Sequence, residues 1–134
     1  MATIQKEILT GAPADEVWDA IRDIGALHTR LVPGFVIDTR LEPGERVVTF
    51  FNGATARERI VTLDEEKRRL VWAAEAPFLR HYNGSAQVSE RGPLTCVLWT
   101  ADFLPDDAAT VVGPLMEAGA EAMKTALDKL MRRA

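Results

Sequence analysis

The chain has 134 residues, 47% of them hydrophobic and 27% charged, and carries a net charge of −4. That balance excludes a disordered chain, and the scattered Lys and Arg exclude a nucleic-acid surface, which needs clustered cations. The single cysteine, Cys96, leaves no disulfide framework and no thiolate zinc cluster within the chain, so a reducing cytoplasm and an absence of metal and cofactor are expected.

The first residues lack a basic stretch followed by an apolar one, and nowhere do 18 apolar residues run together, so a single domain over 1–134 with no membrane span is predicted. Thr3 to Leu9 alternates weakly and predicts a first strand, Ile4 and Ile8 sharing one face. Gly11-Ala12-Pro13 breaks it. Pro13 suits the first turn of a helix, and Asp15 and Glu16 place negative charge at its positive end. Val17, Trp18, Ile21 and Ile24 follow at helical spacing. Gly25 suits a left-handed stop, and a short second helix over Ala26 to Leu31 ends at Val32-Pro33-Gly34.

From Phe35 the periodicity turns strand-like. Six segments, Phe35–Leu41, Arg46–Phe51, Ala56–Leu63, Arg69–Glu75, His81–Glu90 and Leu94–Leu104, are rich in Val, Thr, Phe, Trp and Tyr. The turns between them, including Glu42-Pro43-Gly44, Asn52-Gly53 and Arg91-Gly92-Pro93, are too short for crossover helices and demand antiparallel hairpins. A last helix over 106–133 follows, with Asp106 or Asp107 as its cap and Pro114 imposing a bend or a short preceding turn. Met116, Ala120, Met123, Leu127, Leu130 and Met131 lie near one face of it, with Ala118, Gly119 and Ala122 close by. Small residues beside flexible Met suit a helix that roofs a cavity; they also suit close packing onto a sheet.

The stretches Pro13-Ala14-Asp15-Glu16-Val17-Trp18, Asp23, Pro33-Gly34, Arg57-Glu58-Arg59-Ile60-Val61-Thr62-Leu63-Asp64, Tyr82-Asn83 and Trp99 with Phe103-Leu104-Pro105 resemble the SRPBCC (START/birch-pollen-allergen-like) superfamily, in its polyketide cyclase/dehydrase and lipid-transport branch. The resemblance implies an α+β helix-grip fold: a curved antiparallel seven-stranded sheet, two short N-terminal helices, one long C-terminal helix, and a hydrophobic pocket between helix and sheet. Members include cyclases, dehydratases, lipid carriers and hormone receptors, so the fold does not choose a chemistry. Glu58 and Tyr82 resemble inward-pointing pocket residues of the plant abscisic-acid receptors, whose gate and latch would fall at Asn52-Gly53-Ala54 and Pro77 to Arg80. The signature gate and latch sequences themselves are not reproduced.

Alternation along its strand puts Glu58 on one face with Ile60 and puts Arg57 and Arg59 on the other. Glu58 therefore reads either as a pocket carboxylate holding a ligand's polar group or as half of a surface ion pair. If Tyr82 points inward, His81 points outward. Val97, Trp99, Ala101 and Phe103 form the more apolar face of the last strand, and a slip of one residue would place Asp102 inside instead of Trp99.

The expected ligand-binding set is Glu58, Tyr82, Trp99, Phe35, Ile60, Met116, Ala120 and Met123, around a small hydrophobic or amphipathic molecule of polyketide-like, aromatic or lipid-derived type. A carrier or sensor is expected. The alternative is a cyclase or dehydratase in which Glu58 and Tyr82, with His81 or Asp23, move a proton. A third reading is an interaction module acting through the Phe78-Leu79 loop, and a homodimer through an edge strand or the outer sheet face stays open.

Overall fold

The computed structural model describes residues 1–133, the side chains of residues 132 and 133 excepted. Seven strands follow one another as β1 (Ala2–Thr10), β2 (Val36–Glu42), β3 (Glu45–Phe50), β4 (Thr55–Asp64), β5 (Arg69–Glu75), β6 (His81–Arg91) and β7 (Leu94–Leu104). They form one antiparallel sheet in the order β1-β7-β6-β5-β4-β3-β2. Short turns force each strand from β2 onward to return beside its predecessor. β1 is parted from β2 by helical chain and closes the other edge against β7.

Helix α1 (Ala14–Arg22) begins one residue after Pro13, which caps it in extended backbone instead of sitting inside the first turn. Its buried stripe is Ala14, Val17, Trp18, Ala20 and Ile21. The second short helix is two pieces, a 3₁₀ turn at Ile24–Ala26 and a π-helical turn at Leu27–Leu31. Gly25 does not supply a left-handed stop. It serves close approach, since a Cβ there would lie 2.9 Å from Cδ1 of Leu41.

A 3₁₀ turn at Asp106–Ala108 leads into α2 (Ala109–Asp128), and another at Lys129–Arg133 follows it. Neither Asp106 nor Asp107 makes a side-chain cap bond. Pro114 stays within α2 and removes one backbone donor. Gly113 before it has no Cβ to strike the proline ring, which eases a helical conformation at that step.

α2 is tied to the sheet along one edge. Lys6 pairs with Glu117, Lys124 Nζ donates to the Leu9 carbonyl at 2.8 Å, and Thr10 Oγ1 donates to Asp128 Oδ1 at 2.8 Å. All three ties reach β1. The helix grips the β1 side, and the room beneath it lies toward β3, β4 and β5. Its buried seam is Val112, Met116, Gly119, Met123 and Leu127.

Candidate functional site

A cavity of about 150 Å³ occupies that room. It is lined by side chains from every strand except β1, from α2 and from the turn at Leu27–Leu31. Its walls are apolar: Leu27, Leu31, Leu70, Trp72, Met116 and Met123 among them. Asn52, Ala54, Thr55 and Phe78 are exposed as well as lining, so the cavity meets the surface between the β3–β4 hairpin and the β5–β6 loop.

The sheet places the polar groups by alternation. On β4, Ala56 and Glu58 face inward and Arg57 and Arg59 face solvent. Glu58 is 8% exposed and lies directly opposite Arg46 of β3, which is 3% exposed. Arg46 Nε donates to Glu58 Oε1 at 2.8 Å, and Arg46 Nη1 reaches the Ile24 carbonyl at 3.3 Å. The guanidinium also lies over the Trp72 ring, 5.7 Å from its centroid. Glu58 is therefore neither a lone pocket carboxylate nor a surface pair; it is half of a buried, directly hydrogen-bonded pair.

Tyr82 and Trp99 come from β6 and β7. Tyr82 stacks on Phe103 with centroids 6.3 Å apart. Burial pushes its phenol well above the ordinary tyrosine value; the Glu58 charge adds to that, and the Trp99 indole N–H opposes it. The phenol thus stays protonated at neutral pH and can donate. Trp99 is 8% exposed, and its Nε1–H is buried without a hydrogen-bond partner. The far edge of the same ring is pressed on Gly119, where a Cβ would lie 2.8 Å from Trp99 Cη2 and 3.1 Å from Phe35 Cε2.

Six of the eight expected residues, Phe35, Glu58, Tyr82, Trp99, Met116 and Met123, line this one cavity. Ile60 and Ala120 stand outside the lining and pack, half-buried, against the core. Ile60 pairs with Trp72 just before a bulge in β4, and Ala120 lies one residue around the helix from the seam position that Gly119 fills. Trp99 is the inward residue of β7. Asp102 is on the other face, where Thr3 Oγ1 donates to it at 2.6 Å.

His81 is exposed, and Asp23 pairs with Arg30 at 3.0 Å; neither lines the cavity. Phe78 and Leu79 do line it, at its rim. Arg46 is the charged residue of the lining that sequence reasoning missed. Its signal was a shared face with Val48 and Phe50.

A second, more open groove of about 710 Å³ runs between α2 and the turns near Thr29 and Pro33. Phe35 borders both spaces. Arg30 in the groove is held by Asp19 and Asp23, whereas the inner cavity gathers convergent polar groups within apolar walls, the usual form of a small-molecule site.

Among the described residues no group of three or more His, Cys, Asp or Glu is placed to hold a metal ion, and no helix is long and apolar enough to cross a membrane.

The family model described as polyketide cyclase / dehydrase and lipid transport matches residues 1–134. No curated protein matches the chain. Among solved structures, an uncharacterised protein from Bacillus thuringiensis is similar at 21% identity and a TM-score of 0.84, over 94% of this chain and 98% of that one. The Zhui aromatase/cyclase from Streptomyces sp. R1128 is similar at 21% identity and a TM-score of 0.75, over 98% and 94%. Norcoclaurine synthase from Thalictrum flavum is similar at 22% identity and a TM-score of 0.74, over 99% and 87%. Identities this low speak for a shared fold.

Proposed function

The chain belongs to the polyketide cyclase / dehydrase and lipid transport family, and on that premise we propose that its inner cavity binds a small hydrophobic or amphipathic molecule as a carrier or sensor. One observation carries the reading: an apolar cavity in which Glu58 with Arg46, Tyr82 and Trp99 converge from β4, β3, β6 and β7. Apolar walls supply affinity at about 25 cal/mol per Å² buried. The polar patch fixes orientation.

Carriage is favoured over proton transfer by what the polar groups are doing. Glu58 already accepts from Arg46, the Tyr82 phenol is driven upward and holds its proton, and His81 and Asp23 are elsewhere. A cyclase or dehydratase needs a group poised to give and take a proton near neutral pH. The cavity lining offers no histidine for that role.

Native mass spectrometry of protein released under non-denaturing conditions tests this directly. A recurrent small-molecule adduct is expected in the wild type and should be lost in Ala74→Phe, which fills the cavity from β5. A wild type that carries none, and whose Met116 and Met123 methyl resonances ignore added toluene, would defeat the proposal.

A further inference from the structure

The Trp99 indole N–H is the unexplained polar group of the cavity. It is buried, it has no acceptor, and an indole nitrogen can only donate. A buried donor left unpaired costs free energy that an incoming acceptor recovers. The ring cannot swing toward α2 to find one, because its far edge lies close against Gly119 beside Phe35. Its backbone is fixed as well, in register with Ala86 of β6 and Lys6 of β1. The donor thus faces the cavity, with the Tyr82 hydroxyl as its polar neighbour there.

Three neighbours narrow what could meet it. Tyr82 stands close enough to feel both the Trp99 N–H and the Glu58 charge, so a second donor shares the patch. Arg46 and Glu58 are the charged residues of the lining, and they cancel each other. With the Arg46 charge neutralised by Glu58, the lining offers no net positive charge to an anionic ligand. Size supplies the last constraint. At about 150 Å³ the space matches apolar protein cavities that take a single benzene ring, well below the usual range for larger ligands.

Resting on the reading of this cavity as a ligand site, we propose that it takes an uncharged one-ring molecule whose ketone or aldehyde oxygen accepts the Trp99 indole N–H, with the Tyr82 hydroxyl as second donor. A carbonyl oxygen has two lone pairs for these two donors and brings no charge into a patch where Glu58 is already paired with Arg46. Carboxylates are rejected because their desolvation would go uncompensated.

Acetophenone, its oxygen-free counterpart ethylbenzene, and benzoate test the proposal by NMR titration of wild type and Trp99→Phe. Ethylbenzene reports the cavity alone. The change on substitution is the readout, because it cancels the different cost of taking each probe out of water. Acetophenone affinity should fall about five- to tenfold in Trp99→Phe, while ethylbenzene affinity changes less than about twofold. In the wild type, with no substitution needed, acetophenone should move the Trp99 indole N–H resonance downfield and ethylbenzene should not. Benzoate should bind at least about tenfold more weakly than acetophenone.

Equal losses for both neutral probes, an unmoved indole resonance, or benzoate binding as tightly as acetophenone would overturn the carbonyl assignment and leave the cavity standing. Failure of acetophenone and ethylbenzene alike to bind would remove the one-ring assignment and the cavity reading together.

Discussion

Arg46 and Glu58 face each other across β3 and β4 with almost no access to water, and their value depends on both being present. Removing either leaves a buried charge without its partner, so Arg46→Met or Glu58→Leu alone should cost about 3–5 kcal/mol, while the double variant should recover most of that loss. Urea unfolding of the four proteins checks it; independent, additive losses would mean the two side chains are not coupled. Strand alternation set Glu58 on the face opposite Arg57 and Arg59 but left open whether that face turned inward, and it gave Trp99 an inward position only once the more apolar face of β7 was put inside. Arg46 was not legible, for a reason of register. A two-residue turn at Asn52-Gly53 would set Val47 opposite Glu58, but the loop takes in Phe51 as well, which shifts the pairing by one residue and sets Arg46 there. A charge at the start of a strand ordinarily reads as exposed, and only the pairing reveals otherwise.

At the level of elements, the boundaries of β5 and β7 follow directly from composition, because turn residues bracket Val- and Trp-rich runs. The helical connection is less legible: Leu27–Leu31 is too short for its pattern to separate an α-helix from a π-helical turn. α2 was legible as a helix, but its seam was placed on Ala120 where the backbone uses Gly119. A glycine inside a helix is intrinsically unfavourable by about 1 kcal/mol, so its presence at the point nearest Trp99 and Phe35 marks a close approach. Gly119→Ala should therefore forgo the usual stabilisation. The added methyl must push Trp99 or Phe35 into the cavity, at an overpacking cost of about 1–3 kcal/mol, and should weaken ethylbenzene binding. A variant that melts higher and binds as well as the wild type would show that the contact is not limiting. Pro114→Ala, at an exposed position of the same helix, should raise stability by about 1–3 kcal/mol by restoring a backbone donor.

Across the whole molecule, the one-sided attachment of α2 to β1 leaves space over β3 to β5, and two titrating sets bracket the pH range in which that arrangement holds. Asp19, Glu42, Glu65 and Asp128 are held below their ordinary values of 3.8 and 4.5 by hydrogen bonds from Arg30, Arg57, Arg22 and Lys124 in turn. A depressed native value means that the unfolded chain takes up protons first as the pH falls, so this support is complete above about pH 5 and is lost progressively below it. At the alkaline end the sign reverses. Burial pushes both the Cys96 thiol and the Tyr82 phenol upward, so the unfolded chain ionises first, from about pH 9 for the thiol and pH 10 for the phenol, and stability falls as the pH rises. The chain has a single tyrosine, so phenolate absorbance reports Tyr82 alone. That absorbance should appear together with loss of the fold, delayed beyond the ordinary tyrosine value of 10.0, and the part of the alkaline fall that begins there should be absent in Tyr82→Phe. Phenolate forming at its ordinary value in a still-folded protein would mean that water reaches the inner cavity freely, and an apolar ligand would then find no sheltered place there.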